Sequence, residues 1–515
     1  MSTGGISILF GDPERAVVRT AEPDYFHDLR LDAVVDAVVG DDDQFDIRPW
    51  FYTPVDNPAD VSLRQSVYCE LDSNATIRSA FVRFGAGMQT IRTLLSELSA
   101  ASTDTERLGW RVNAFQAYVA VIVRLSDDLE RAHPAAAALR AVADYVDTQV
   151  HSAHFQLLRR TADDIGEALG KIVYSVRIRD LQVNVQRFEG APEMLERTRV
   201  LLDRFDEPDR TDRAYPAADH PGLNRVESSI LELVAGLFPQ QFGLLREFVE
   251  RTHDFIDPNL LRLDRELQFY LRYRAHVEWL RQSGLEFCYP AVGDDRSSPT
   301  WATDAFDIAL AASLFADDPA ARVVANSLRL DPPERMIVVT GPNQGGKTTF
   351  ARMLGQLHHL AGLGLPIPGQ EGSLVLFDEI YTHFEHAEVA TDERGKLEDE
   401  LIRLHQIIAT ATSRSLVILN ETFSSTSLHD ARLLGRAVLT QLDRIGVRGV
   451  YVTFVDELSR LSASTVSMVS CTDPDDASRR TFAIVRRPAD GRAFAAALAE
   501  KYHLTFDEVD RRLVR

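Results

Sequence analysis

The sequence predicts a C-terminal α/β domain with a largely parallel sheet, preceded by a mainly α-helical domain. From about residue 302 onward, short apolar runs alternate with helical segments, which is typical of parallel strands joined by helices. Over residues 61–170 the apolar positions instead recur with helical spacing. The predicted organisation is therefore an acidic segment at 1–60, a helical domain at 61–290 and the α/β domain at 300–515.

The composition limits the classes of function. Lysine and arginine total 56 against 77 aspartate and glutamate, a formal net charge of −21. Since nucleic-acid binding normally leaves a basic surface, any DNA contact has to come from a local patch. No run approaches the roughly 18 apolar residues of a membrane helix, and the N-terminus lacks the basic start of a secretory signal. The three cysteines are far apart, which argues against a disulfide framework and fits a cytoplasmic protein.

The helical domain is interrupted by one strand-like stretch. Amphipathic segments beginning at Ile77 and Trp110 predict long helices, and two more are expected over about 226–256 and 258–283. Residues 172–189 alternate with period two and predict strands, whereas 206–222, rich in Asp, Pro and Arg, predict a loop.

The α/β domain is expected to contain six strands, with two short helices after them over 490–515. The predicted strands are 336–340, 374–377, 416–419, 450–453, 465–470 and 481–485.

A phosphate-binding loop follows the first of these strands. It reads Gly341-Pro342-Asn343-Gln344-Gly345-Gly346-Lys347-Thr348, with Thr349 next on the predicted helix. In this G-x-x-x-x-G-K-T pattern, glycines let backbone N–H groups close around phosphate oxygens at a helix N-terminus. Lys347 is expected to reach the β- and γ-phosphates, and the Thr348 hydroxyl to hold Mg²⁺. The sequence thus predicts a nucleoside triphosphate site for ATP with Mg²⁺.

Such a site also needs an acidic residue at a strand end, and two candidates exist. The run 374–377 leads into Asp378-Glu379, whereas 416–419 leads into Asn420-Glu421, with an amide where a carboxylate is expected. The local pattern alone favours the first candidate.

The order of motifs reverses that preference, because residues 340–504 resemble the ATPase domain of the MutS mismatch-repair family. Residues 340–347 match the family's TGPN-x-GGK loop, 378–382 match its D-x-I-x-T motif and 393–401 match its signature loop and helix. Residues 420–427 then take the place of the Walker B strand end and its T-S turn. Residues 61–283 are less specifically similar to the family's core, lever and clamp.

This resemblance implies an ABC-type P-loop ATPase domain attached to a lever and clamp, with clamp strands near 172–189. The family couples ATP binding and hydrolysis to closure of a clamp on DNA, and it works as a dimer whose signature loops complete the partner's ATP site. A homodimer with composite sites and DNA contacts through the backbone are therefore expected. The chain would be a short form, since few residues precede the helical domain.

The resemblance also implies residue roles. Glu421 is expected to orient the attacking water, and Thr348 and Asn420 to hold Mg²⁺. The apolar pair Val323-Val324 is expected to contact adenine, and Gly395-Lys396 to meet the partner's γ-phosphate. On the strand-rich segment, the candidates for DNA phosphate contacts are Arg177, Arg179 and Arg187.

Three departures from the family pattern predict slow hydrolysis. The Walker B aspartate is Asn420, the signature serine is Gly395, and the histidine expected after Thr453 is Phe454. The alternative function is a nucleotide-gated protein-interaction switch with little hydrolysis and no DNA binding, which the net charge of −21 would suit.

Overall fold

The computed structural model describes residues 5–14, 17–40, 43–179, 182–188, 223–252, 254–385, 395–473 and 479–489. The predicted helices at 490–515 and the predicted loop at 206–222 lie outside these residues. The chain divides into two compact units, one formed by residues 1–72 with 265–515 and the other by residues 73–264. The boundaries between these units lie at residues 72/73 and 264/265, whereas the sequence predicted domain boundaries near residues 60 and 290.

The described helices follow the chain in the order α1 Tyr25–Leu29, α2 Leu31–Val39, α3 Arg48–Phe51, α4 Pro58–Ser73, α5 Ala75–Ala100, α6 Asp104–Ala132, α7 Ala137–His151, α8 Ala153–Gly170, α9 Arg225–Leu237, α10 Pro239–Arg251, α11 Pro258–Gln282, α12 Ile308–Asp317, α13 Lys347–Gly362, α14 Lys396–Thr410 and α15 Leu428–Ile445. The described strands are β1 Tyr174–Arg179, β2 Gln182–Arg187, β3 Phe287–Cys288, β4 Ala291–Gly293, β5 Thr300–Ala305, β6 Asn326–Leu330, β7 Met336–Thr340, β8 Ile367–Pro368, β9 Glu371–Val375, β10 Ile380–Phe384, β11 Leu416–Asn420, β12 Arg448–Val452, β13 Thr465–Thr472 and β14 Arg480–Arg486.

A six-stranded sheet forms the centre of the first unit, in the order β10-β11-β12-β7-β13-β14. Its strands are parallel except β14, which runs antiparallel to β13. Every residue of β7, β11 and β12 is buried. The prediction of a parallel-rich sheet with helices is confirmed, and β7 lies inside that sheet with a strand on each side.

One predicted strand belongs to a different sheet. The prediction at 374–377 corresponds to β9, which lies in a four-stranded sheet with β4, β5 and β6. The edge strand of the central sheet is instead β10, which begins two residues after Asp378. The apolar run identifies a strand, but it carries no information about which sheet that strand joins.

The N-terminal residues form part of the first unit, which corrects their prediction as a separate acidic segment. Glu266 on α11 is fully buried and accepts hydrogen bonds from the Ser7 hydroxyl at 2.7 Å and the Ile8 backbone N–H at 2.6 Å. The Tyr270 hydroxyl donates to the Ile8 carbonyl at 2.7 Å. Although the segment is acidic overall, its apolar residues supply core positions, and this long-range packing is invisible to composition.

Helix α1 packs directly on α13, the helix that follows the phosphate-binding loop. The Leu29 methyl groups occupy the space that a side chain on Gly355 would need. The Gln356 amide donates to the Leu29 carbonyl at 2.8 Å, and Arg352 Nε donates to the Asp28 carbonyl at 3.1 Å. The N-terminal segment and the α/β region therefore share a single hydrophobic core.

We expect Leu29→Ala to destabilise the first unit by about 2–5 kcal/mol, because Leu29 is fully buried and its loss leaves a cavity. Urea unfolding of the full chain measures this change. Val17→Ala is the matched control in the same segment, since Val17 is 84% exposed and its truncation should change stability by less than about 0.5 kcal/mol. Equal stability of the two variants would contradict the shared core.

In its described residues, the second unit is helical apart from one hairpin. Its core includes Val112 and Phe115 on α6, Ile165 on α8, and Leu245 and Phe248 on α10. Strands β1 and β2 pair as an antiparallel hairpin where strands were predicted.

The helix predicted over 226–256 is two helices. It breaks at Phe238, whose backbone is non-helical (φ −123°, ψ 55°), and α10 begins at Pro239. Proline lacks an N–H and disfavours the helical conformation in the residue before it, which explains the break. Within the described ranges, no helix is both long and apolar enough to cross a membrane.

Candidate nucleotide-binding site

The phosphate-binding loop lies where the central strand β7 ends and α13 begins. Gly341 and Gly346 have φ values of 121° and 87°, a region that favours glycine. The Ser470 hydroxyl on β13 donates to the Gly345 carbonyl at 2.6 Å, and a Cβ on Gly345 would overlap that hydroxyl. The loop is therefore fixed from the neighbouring strand, with its backbone close to the helix N-terminus where anions bind.

Lys347 is held at the centre of this loop. Its side chain is 3% exposed, and Nζ donates to the Gly341 carbonyl at 2.9 Å and to Asn343 Oδ1 at 3.1 Å. The Glu421 carboxylate lies 3.6 Å from Nζ. Burial lowers the pKa of the Lys347 ammonium, and the Glu421 charge opposes that effect. The loop thus presents a buried cation with polar neighbours.

The predicted metal ligands lie together. The Thr348 hydroxyl, at the start of α13, donates to Asn420 Oδ1 at 3.0 Å, and Asn420 is the last residue of β11. Mg²⁺ prefers oxygen ligands, and a hydroxyl beside an amide oxygen fits that preference. The donor set lacks the carboxylate that would neutralise part of the metal's charge, so these residues fit a weakly held Mg²⁺.

The alternative pair Asp378-Glu379 lies at the other end of the sheet. It precedes β10, which is parallel to β11, so it flanks the amino ends of the strands and not the carboxyl ends. Asp378 accepts hydrogen bonds from the Thr412 and Ser415 hydroxyls, and Glu379 pairs with Arg19 at 2.8 Å. The geometry excludes this pair from the phosphate-binding loop.

Glu421 stands in a strained turn held by two neighbouring elements. Glu421 and Phe423 have φ values of 54° and 63°, uncommon for residues with side chains. The Glu421 N–H donates to the Val452 carbonyl at 2.9 Å, and the Phe423 N–H donates to the Glu400 carboxylate at 3.0 Å. Glu400 is buried on α14, so the signature helix helps to position the Glu421 turn.

The segment carrying Val323 and Val324 is tied to β14. Asn326 donates to the Phe482 carbonyl at 3.2 Å and accepts from the Ile484 N–H at 2.7 Å. The backbone of Phe482 lies beside Gly346 of the phosphate-binding loop. Val324 and Phe482 are 41% and 47% exposed, so the structure places an accessible apolar surface next to this loop.

Sequence reasoning missed several residues that shape the site. Glu400, Ser470 and Asn326 each hold one of its segments through a hydrogen bond from a distant part of the chain. Their spacing along the sequence contains no signal for this, because each bond depends on how the elements pack.

The signature loop is described only at its end. Gly395 is exposed and precedes α14, and no atom of the described residues lies within 4 Å of where its Cβ would stand. Lys396 begins α14, but its side chain and residues 386–394 lie outside the described part of the chain.

The three hairpin arginines do not form one group. Arg177 is exposed and lies opposite Asn184, whereas Arg187 lies opposite Tyr174 on the other face of the hairpin. Arg187 Nε donates to the Leu237 carbonyl at 3.0 Å, and its guanidinium stacks on Phe238. Arg187 therefore holds the hairpin against α9 and α10. Arg179 ends β1, and its side chain lies outside the described part.

We expect Asn420→Asp to strengthen Mg²⁺-dependent hydrolysis of ATP. An ionised partner makes a hydrogen bond worth about 1.5–3 kcal/mol against about 1 for a neutral one, so Mg²⁺ affinity should rise about tenfold. A Mg²⁺ titration of ATP turnover measures the change. Asn113→Asp adds the same charge on an exposed face of α6 and should leave the titration unchanged. An unchanged Mg²⁺ midpoint in Asn420→Asp would contradict the assignment of Asn420.

The central sheet is buried and largely parallel, and a G-x-x-x-x-G-K-T loop follows its interior strand β7. A polar residue at the end of β11 faces that loop. These features define a P-loop nucleotide-binding domain. Residues 337–494 match the family model described as MutS domain V. The α/β region of the chain is therefore similar to MutS proteins.

Similar proteins named DNA mismatch repair protein MutS align with only part of this chain. The DNA mismatch repair protein MutS of Exiguobacterium sp. is 32% identical over 29% of this chain and 18% of its own length. MutS of Thermotoga maritima is 28% identical over 34% of this chain and 22% of its own length. MutS of Bacillus subtilis is 23% identical over 47% of this chain and 27% of its own length. The matches thus span less than a third of these relatives.

Proposed function

We propose that this chain is a MutS-like ATP-binding protein that hydrolyses ATP slowly and couples the nucleotide to a contact with DNA. One observation carries the proposal. Lys347, Thr348, Asn420 and Glu421 meet at the carboxyl edge of the central sheet, with Thr348 and Asn420 3.0 Å apart and Lys347 and Glu421 3.6 Å apart. This arrangement provides a cation for phosphate, oxygen ligands for a metal and a carboxylate near both.

The residues divide the work of binding and hydrolysis. Lys347 and the loop N–H groups bind phosphate oxygens, and Thr348 and Asn420 hold Mg²⁺, which when bound would neutralise charge on those oxygens. Glu421 orients a water molecule and accepts its proton. Because Asn420 is neutral, the metal is held less tightly, and turnover is slow relative to binding.

A homodimer with shared ATP sites is part of the proposal. Gly395 is exposed at the start of α14, as a residue that meets a partner's nucleotide has to be. Phe454 and Leu428, which follow β12 and the Glu421 turn, are 42% and 63% exposed. Large exposed apolar side chains at the nucleotide edge support a face that a second copy covers.

The proposed contact with DNA rests on the similarity to MutS proteins and on the exposed position of Arg177 on the hairpin. A protein-interaction switch without DNA binding is the second candidate, and the neutral Asn420 together with the net charge of −21 favours it. The two candidates predict different responses to DNA and to salt.

The test measures ATP turnover and DNA binding by the full chain with duplex, mismatched and branched DNA. The proposed function predicts slow turnover that DNA stimulates, and DNA affinity that falls steeply as salt rises, because phosphate contacts release counterions. ATP binding without turnover, unaffected by all three DNA forms, would reject the DNA-acting function in favour of the switch. No ATP binding would reject both.

A further inference from the structure

Three arginines lie together at the edge of the central sheet opposite the phosphate-binding loop. Arg335 directly precedes β7, and Arg448 begins β12, the strand paired with β7. Arg296 lies between β4 and β5 and donates to the Gly446 carbonyl at 3.1 Å, two residues before Arg448. Since β7 and β12 are parallel, all three stand at the amino ends of the strands.

Arg448 is the buried member of this group, which we call the arginine edge (Arg296, Arg335 and Arg448). It is only 3% exposed. Its guanidinium donates at 2.5 Å to the Thr300 hydroxyl and at 2.5 Å to the Arg296 carbonyl, which are both neutral acceptors. Its Nε is buried and has no acceptor among the described residues. Burial and the charges of the other two arginines lower the pKa of Arg448 to about 10.

The other two arginines also keep a buried donor without an acceptor. Arg296 Nη1 and Arg335 Nε are both buried and unmatched within the described part of the chain. Arg335 pairs with Asp443 at 2.7 Å, and Asp443 also accepts from the Ser464 hydroxyl.

The remaining nearby carboxylates are engaged in local bonds. Asp295 accepts from the Ser297 and Ser298 hydroxyls. Asp378, whose charge acts on Arg296, accepts from the Thr412 and Ser415 hydroxyls. Asp443 is thus the only described carboxylate with a direct salt bridge to the arginine edge.

The arginine edge has three guanidinium groups and one directly paired carboxylate. Positive charge therefore remains uncompensated there, and several N–H donors remain without an acceptor among the described residues. Burying such charge without a counter-ion is unfavourable, and planar guanidinium donors match the oxygens of phosphate and related oxyanions. We propose that the arginine edge binds a phosphate-type oxyanion. Because Arg448 is nearly inaccessible, the ligand is small: free inorganic phosphate or the terminal phosphate of a small nucleotide. The proposal is independent of the function proposed for the phosphate-binding loop.

The test uses a variant in which phosphate binding at the phosphate-binding loop is weakened. Calorimetric titration of inorganic phosphate into the Lys347→Ala full chain reports binding elsewhere on the molecule. Chloride at the same ionic strength controls for general salt effects. Saturable heat from phosphate, with thermal stabilisation that chloride does not reproduce, is the expected result.

Substitutions in the same background locate the site. We expect Arg296→Gln and Arg448→Gln each to weaken phosphate binding about tenfold, as loss of a charge-assisted hydrogen bond does. Arg329→Gln is the matched control, because Arg329 is an exposed arginine paired with Asp331. Arg296 is only partly buried, so its variant tests the proposal even where Arg448→Gln does not fold. Phosphate binding no stronger than chloride, or unchanged binding in Arg296→Gln, would overturn the proposal.

A parallel titration with adenosine monophosphate distinguishes the two sources of the anion. Tighter binding of the monophosphate than of phosphate, sensitive to Arg296→Gln, would support the site with a nucleotide as ligand. Binding of phosphate alone, with the same sensitivity, would support it with the free anion.

Discussion

Replacing Lys347 by alanine is expected to weaken ATP binding about hundredfold. The substitution removes charge-assisted hydrogen bonds to phosphate, worth about 1.5–3 kcal/mol each, and two of them correspond to that change in affinity. Lys347 is the cation that the loop surrounds, 3% exposed and 2.9 Å from the Gly341 carbonyl. Titration of fluorescent ATP into both proteins measures the effect.

The control for this loss is Lys171→Ala. Lys171 is an exposed lysine that pairs with Glu167 one helical turn away, so its removal changes net charge by the same amount without touching the loop. ATP affinity should stay unchanged in this variant. Since Lys347 also bonds to loop carbonyls, thermal unfolding of both variants checks that the fold is intact. A folded Lys347→Ala protein with wild-type ATP affinity would contradict the nucleotide site.

Glu421→Gln is expected to lower the rate of ATP turnover by about 10²–10⁴ while ATP affinity changes little. General-base catalysis contributes a factor of this size, and glutamine keeps the shape of glutamate but cannot accept the proton. The backbone of residue 421 has a φ of 54°, and its N–H donates to the Val452 carbonyl. Both features should keep the substituted side chain in the position of the Glu421 side chain. Single-turnover hydrolysis separates the chemical step from binding.

The matched control is Glu379→Gln, which alters the acidic residue that the local sequence pattern favours. Glu379 pairs with Arg19 at the opposite edge of the sheet, so its turnover should stay within about twofold of wild type. Loss of turnover in Glu379→Gln with retention in Glu421→Gln would reverse the assignment of the two pairs.

Local features of the site were predictable from sequence because they depend on neighbours in the chain. The strand 336–340, the glycines after it and the lysine at the helix start follow from adjacent residues, and the structure has β7 and α13 at these positions. The break at Phe238 also has a local cause, because Pro239 disfavours the helical conformation of the residue before it.

Other features depended on distant parts of the chain. The packing of α1 on α13 joins residues more than 300 positions apart, as in the bond from Gln356 to Leu29. Composition suggested a separate acidic segment because it records average polarity, whereas Ile8 and Leu29 are fully buried. Similarly, period-two alternation predicted the hairpin strands but not that Arg187 would pack on Phe238.

By itself, the sequence predicted a phosphate-binding loop between a strand and a helix, a parallel-rich sheet and a resemblance to the MutS family over residues 340–504. The order of motifs already favoured Asn420 over Asp378, and the tertiary structure supplied the contact itself, a hydrogen bond from the Thr348 hydroxyl to Asn420 Oδ1. The tertiary structure also brought Arg296, Arg335 and Arg448 to one edge. The physical reason is that strand order and strand direction arise from packing of the whole sheet, and these determine which ends of distant segments meet.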